Sequence, residues 1–138
     1  MDPLSIVTAS LSLATGITKA SLTVSQFARE FRDSAEDIDA LSKEIQALAA
    51  VLDPLTRSLT RRHACPLPEA LVLQVDNTMS GCIVVLAQIE ETIQKYQHDR
   101  IWTLAKWVIF GKDDALKLRE SLEAYTMALS IGLHAISL

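Results

Sequence analysis

Charged side chains are missing from the start of this sequence, because residues 3–18 contain none. No positively charged region precedes this run, which excludes a secretory signal peptide. The run is also too short for a comfortable membrane span, which needs roughly 20 apolar residues, and serine, threonine and alanine dilute its hydrophobicity. A helix that is apolar nearly all round is either surrounded by protein or enters lipid.

Residues that mark several functional classes are scarce as well. Two cysteines without an export signal are best interpreted as reduced cytosolic thiols. The four glycines are isolated, which excludes a glycine-rich phosphate loop. A net charge of −4 argues against a nucleic-acid-binding surface. With 138 residues, 49% of them hydrophobic, the chain is long enough for one globular domain with a real core.

The sequence offers no catalytic or metal-binding constellation. It has no Gly-x-Ser-x-Gly nucleophile motif. His63, Cys65, Cys82 and His98 follow no structural zinc spacing, and Cys82 falls on an apolar helix repeat where a small residue is wanted. We therefore expect no enzyme, no metal site and no cofactor.

The first helix is predicted to run from Pro3 to about Phe31, because Asp2 followed by proline is a helix start signal. Two interpretations of its uncharged half stay open. It is the buried central helix of a bundle, or it is buried at rest and released to a membrane. In the second case the inserting side chains would be Leu4, Ile6, Val7, Leu11, Leu13 and Ile17.

The second helix has the most regular pattern, with apolar residues at alternating steps of three and four from Ile38 to Leu59. We expect a kink or a local restart at Pro54. Cations follow at the end of this helix, where they complement its dipole. They are either solvated or contact anionic lipid head groups or an acidic partner; these residues are Arg57, Arg61 and Arg62.

A linker with two prolines, residues 63–68, separates the second helix from the third. The third helix is predicted from Glu69 towards Arg100, and the fourth from about Asp114 to Leu138. Tyr125 falls on the predicted core repeat of the fourth helix. Because this apolar helix stops at the last residue, we expect the native protein to continue beyond it.

The segment of residues 100–112 contains both tryptophans of the chain. It is either a short helix that seals one end of the bundle or an interfacial belt of aromatic and cationic side chains at lipid head groups. The side chains that would contact lipid or a partner there are Trp102, Lys106 and Trp107.

Three features together resemble a known family: residues 1–10 (MDPLSIVTAS), the apolar repeat of the second helix, and residues 107–112 (WVIFGK) followed by Leu118, Leu122 and Leu129. They are similar to the HeLo-like N-terminal domains of fungal NOD-like (STAND) receptors and amyloid-signalling proteins. The resemblance covers essentially all 138 residues.

We therefore expect an all-α domain over residues 1–138. It should be a four-to-five-helix bundle with a long apolar N-terminal helix and a short aromatic helix between helices three and four. The resemblance implies a cell-death and heterokaryon-incompatibility effector that oligomerises and targets the membrane through its first helix. The alternative is a non-lytic oligomerisation or adaptor module of a NOD-like receptor. The implied partners are further copies, anionic membrane lipids and downstream receptor domains, with no nucleic acid. The implied location is the cytoplasm, with movement to the plasma membrane on activation.

Overall fold

The computed structural model of the chain describes residues 3–31, 35–61, 67–97, 106–107 and 111–137. Four helices account for most of these residues: α1 (Pro3–Glu30), α2 (Ala35–Arg61), α3 (Glu69–Gln97) and α4 (Lys112–Ser137). No strand occurs within these ranges. The predicted all-α helix bundle is therefore confirmed.

Charged residues lie at the helix ends that the helix dipole favours. Glu36 and Asp37 occupy the first turn of α2, and Glu69 occupies the first turn of α3. Arg61 and Lys95 lie in the last turns of the same helices. Carboxylates near a helix N-terminus and cations near its C-terminus are each stabilising. α3 begins at Glu69, as predicted, and ends at Gln97, close to the predicted end near Arg100.

The helices form a four-cornered bundle. α1 and α4 each contact α2 and α3, whereas the diagonal pairs barely touch. α1 and α3 run in the same direction: the Ser10 hydroxyl lies 3.7 Å from the Met79 sulfur, and farther along both helices Gly16 faces Leu86. α2 and α3, which follow each other in the chain, therefore stand at diagonally opposite corners of the bundle.

The directions of α4 and α2 determine which residues lie at each end of the bundle. α4 runs opposite to α3, since Tyr96 donates a hydrogen bond to Asp114 while Gly81 faces Tyr125. α2 runs opposite to α1, because residues 24–28 and 36–42 line one groove beside their connection. One end of the bundle thus contains residues 3–18, 47–61, 69–88 and 124–137. We call it the sparsely charged end, because five of the 24 charged residues that the structure describes lie there.

Each helix contributes one apolar stripe to a single core. Fully burying a large apolar side chain is worth about 1.5–3 kcal/mol, so these stripes are the main stabilising contribution. The repeat predicted for α2 is confirmed from Ile38 to Leu55. The core includes Ile6, Leu13, Ile17, Val24 and Phe27 of α1, Ile38, Leu41, Ile45, Leu48, Leu52 and Leu55 of α2, Val75, Met79, Cys82, Leu86, Ile89 and Ile93 of α3, and Leu122, Leu129 and Ile136 of α4.

The expectation that α1 is the buried centre of the bundle is wrong. α1 occupies a corner, and its outer side exposes Leu11 (61%) and Leu22 (57%). The hydroxyls of Thr15 and Thr18 donate to the carbonyls of Leu11 and Ala14 one turn earlier. Because these polar groups are satisfied within the helix, an uncharged outer side is compatible with solvent exposure.

Two smaller expectations are corrected. α2 continues through Pro54 as one helix, so the expected local restart is wrong, whereas the expected kink stays a prediction. Ala50 is exposed, so water can reach the carbonyl that Pro54 leaves without its N–H donor. Tyr125 is 36% exposed rather than part of the core, because its ring lies over Gly81 at the edge between α3 and α4.

Among the described residues, one helix is long and apolar enough to cross a membrane by length and composition, and it is α3 rather than α1. Buried core helices of soluble proteins meet the same criterion. In α3, however, only 28% of the most apolar 18-residue window is buried. The apolar character of α3 therefore extends beyond its core stripe.

An aromatic cluster closes the other end of the bundle. Trp107 is 1% exposed, and its ring centroid lies 5.0 Å from that of Phe27 and 5.4 Å from that of Tyr96. The Tyr96 ring meets the indole edge-on, a favourable arrangement for aromatic pairs. Lys106 and Trp107 have helical backbone, whereas residues 98–105 and 108–110 lie outside the described part.

The aromatic cluster requires a residue without a side chain at position 111. Two glycine substitutions test this requirement. A Cβ atom on Gly111 would overlap the indole of Trp107, whereas one on Gly16 would lie 3.5 Å from Leu86, an ordinary contact. Gly111→Ala should lower the free energy of unfolding by about 1–3 kcal/mol through overpacking. Gly16→Ala should leave it unchanged or raise it by up to about 1 kcal/mol through helix propensity. Urea unfolding followed by circular dichroism measures both, and equal effects would contradict the assigned packing.

Candidate membrane and partner surface

The α1 side chains predicted to insert into a membrane differ in how deeply they are buried. Ile6, Leu13 and Ile17 face the core with at most 9% exposure. Val7 is half-buried and Leu11 is exposed. Leu4 belongs to α1, but its side chain lies outside the described part of the chain. In this packing Leu11 is therefore the large member of the set that a membrane or a partner can reach directly.

The predicted cationic residues lie at the same end of the bundle as the uncharged half of α1. α1 and α2 are antiparallel, so the last turns of α2 stand beside the first turns of α1. Arg57 and Arg61 are exposed there, and Arg57 forms a 3.2 Å ion pair with Asp53 on its own helix. An exposed pair of this kind is worth little, so the guanidinium can exchange it for another anion. Arg62 lies outside the described residues.

The opposite end carries most of the charge. An exposed ion pair joins Lys43 to Asp39 within α2, at 3.0 Å. Burial of Glu44, reinforced by the neighbouring Glu123 carboxylate, raises the pKa of Glu44, while Arg119 partly opposes this. This end is therefore well solvated and well suited to face water.

The residues predicted for the aromatic and cationic belt are separated by the structure. Trp107 is buried between Phe27 and Tyr96 and cannot contact lipid or a partner in this packing. Its burial agrees with the interpretation in which the segment seals the bundle. Lys106 is exposed beside Lys95, at the charged end. Trp102 lies outside the described residues.

The described residues contain no group of three or more His, Cys, Asp or Glu side chains that could hold a metal ion. Cys82 is fully buried in the core, and burial raises the pKa of its thiol to about 12. A thiol in that state is neither a nucleophile nor a metal ligand at neutral pH. That the chain is not an enzyme stays a prediction.

A second exposed apolar region was not predicted from the sequence. It lies on α3 and α4 at the sparsely charged end and comprises Leu73, Val84, Tyr125, Met127 and Ile131. The uncharged stretch of residues 124–138 was visible in the sequence. Which side of α4 this stretch exposes depends on how the four helices pack. Its position next to the exposed side of α3 depends on the same packing.

Comparison with known proteins places the chain in a family. The family model described as the N-terminal part of pigment biosynthesis cluster protein PigL matches residues 1–138. Because the match covers the whole chain, the chain belongs to this family of fungal N-terminal domains. The match agrees with a fungal helical N-terminal domain, whereas it does not show a HeLo-like relationship. No curated protein and no solved structure matches the chain.

The burial of Cys82 makes a direct prediction for thiol labelling. In a Cys65→Ala variant, Cys82 should not react with Ellman's reagent at pH 8, since its pKa of about 12 leaves almost no thiolate and its side chain is fully buried in the core. It should react fully in guanidinium chloride. Rapid labelling of the native protein would show that the bundle opens readily.

Proposed function

We propose that this chain, as a member of the PigL N-terminal family, is a membrane-active effector module whose working element is α1. In this proposal the domain rests folded in the cytoplasm. When copies of the domain assemble, α1 leaves the bundle and enters the plasma membrane. The outcome is permeabilisation and cell death, as in the HeLo-like domains that the sequence resembles.

The observation that carries the proposal is the position of α1. It is a corner helix that touches two neighbours, and no Asp, Glu, Lys or Arg occurs between Ser5 and Thr18. An exposed leucine, Leu11, stands in the middle of that stretch. A corner helix can separate from a bundle without breaking the remaining helix contacts, which a central helix could not do.

The resting state nevertheless holds α1 firmly. Its N-terminal half buries Ile6, Leu13 and Ile17, each worth about 1.5–3 kcal/mol. Release therefore needs a compensating interaction such as oligomerisation or lipid, since a ligand shifts an equilibrium only by its differential affinity. This cost keeps the module inactive until it is assembled.

The exposed arginines at the same end supply the first attraction to an anionic bilayer. Arg57 and Arg61 lie on α2 beside the start of α1. A basic residue near an anionic membrane surface contributes about 1 kcal/mol. Two such residues bring α1 to the membrane reversibly and leave insertion to the helix itself.

A second candidate function is a non-lytic association module that joins copies or docks further domains. It is favoured by the apolar side chains of α3 and α4, which are exposed without any release of α1. Vesicles that stay intact while the chain still self-associates would favour this candidate over the first.

Dye release from vesicles of phosphatidylcholine and phosphatidylserine tests the membrane proposal. The chain at micromolar concentration should release the dye, and Leu11→Lys should reduce release about tenfold or more, because a lysine at the centre of an inserted helix costs about 2.5–3.5 kcal/mol. Leu11 is exposed, so the variant should fold normally. Leu13→Lys is unsuitable as a test, because Leu13 is fully buried and a lysine there would destabilise the bundle.

Leu116→Lys is the matched control, since Leu116 is an exposed leucine at the charged end. It should release dye like the unsubstituted chain. In the Cys65→Ala background, Cys82 should become reactive on vesicles if α1 leaves. Intact vesicles, or equal loss of release in the two lysine variants, would refute the membrane role.

A further inference from the structure

A continuous uncharged surface runs along α3 and α4 at the sparsely charged end. The exposed residues of α3 between positions 70 and 88, and those of α4 between positions 124 and 135, include no Asp, Glu, Lys or Arg. We call this surface the neutral face. Its principal side chains are Leu73, Asn77, Val84, Tyr125 and Ile131.

The two helices form one platform rather than two separate ridges. The Tyr125 ring of α4 lies so close to α3 that a Cβ atom on Gly81 would be 2.5 Å from it. Leu73, Gln74 and Asn77 of α3 line a shallow groove together with Tyr125. Leu73, Gln74 and Asn77 of α3 therefore lie on one connected surface with Tyr125 of α4.

The apolar side chains of the neutral face are not buried in the core. Ile131 is 65% exposed, and Val84 is 55% exposed. α3 meets the composition of a membrane-spanning helix, yet less than a third of its most apolar window is buried. Contiguous apolar surface that the fold leaves exposed is typical of an interaction site.

We infer that a second copy of this chain covers the neutral face in a two-fold symmetric pair. In such a pair each face meets itself, so a face with net charge would repel its own copy. The neutral face avoids that repulsion. The exposed amides of Gln74 and Asn77 carry both donors and an acceptor, so each can hydrogen-bond an identical amide across the symmetry axis.

Charge also separates this surface from the lipid-contacting one. Glu69 and Asp76 are seven residues apart and so share one side of α3, next to the neutral face. The described parts of α3 and α4 at this end contain no lysine or arginine. An anionic bilayer would be repelled here, whereas it is attracted by Arg57 and Arg61 on α2. The inference therefore rests on the second candidate function, the association module, and is independent of the membrane proposal.

The size of the neutral face indicates a weak, reversible dimer. It extends along about 27 Å of α3 and about 17 Å of α4, for helices about 10 Å wide. Each copy would then bury roughly 450 Å², which lies at the low end of specific interfaces. We expect dimers in the micromolar range.

Sedimentation velocity over a concentration series tests the inference with the chain of residues 1–138. The unsubstituted chain should change from monomer to dimer. Asn77→Asp should weaken the dimer about tenfold or more, because it places like charges opposite each other near the axis. Asn77→Lys should do the same, and an equimolar mixture of the two variants should recover dimers, since opposite charges then meet.

Gln46→Glu is the matched control, because it adds the same charge at an exposed position on the diagonal helix α2. It should dimerise like the unsubstituted chain. Recovery in the mixture cannot come from misfolded variants, so it would confirm that the neutral face is the interface. A monomer at every concentration, equal weakening by Gln46→Glu, or no recovery on mixing would overturn the inference.

Discussion

The packing of α1 against α3 is the contact on which the rest of the structure depends. Ser10 faces Met79 and Gly16 faces Leu86, so the two helices run side by side in the same direction. That arrangement leaves α2 and α3 at diagonally opposite corners, and it places the sparsely charged halves of α1, α3 and α4 at one end. The separation of charge between the two ends is therefore a consequence of topology as well as of composition.

The aromatic cluster fixes the opposite end. Trp107 fills the space between Phe27 of α1 and Tyr96 of α3, and Tyr96 in turn donates a hydrogen bond to Asp114 at the start of α4. Burial, followed by the bond to Asp114 and its negative charge, raises the pKa of Tyr96, so the phenol stays protonated and the bond persists at physiological pH. α1 and α3 thus meet at one indole, and Tyr96 links α4 to them, far from the end where α1 exposes Leu11.

How well burial could be predicted from the sequence depended on how clearly the charged side of a helix differed from its apolar side. In α2 charged residues alternate with the apolar repeat, so the buried stripe from Ile38 to Leu55 was predicted correctly. In α1 no charge marks the side that faces water, so Leu11 and Leu13 were indistinguishable by pattern, although one is exposed and the other fully buried. The neutral face was not predicted for the same reason. It is made of residues whose exposure depends on which helices become neighbours, and periodicity within one helix cannot show that.

The absence of charge on the outer sides of these helices makes the two proposed activities, membrane insertion of α1 and pairing of copies, compatible in one small domain. A helix with charge on its outer side is confined to one environment, because transferring that charge to lipid or to a buried interface is costly. The outer sides of α1, α3 and α4 at the sparsely charged end carry hydroxyls, amides and aliphatic groups instead. Departure of α1 would bare Met79 and Leu86 on α3, a helix whose outer side is already uncharged. Covering α3 with a second copy would limit the apolar surface left in water at that moment, so pairing of copies before release of α1 is the physically less costly order.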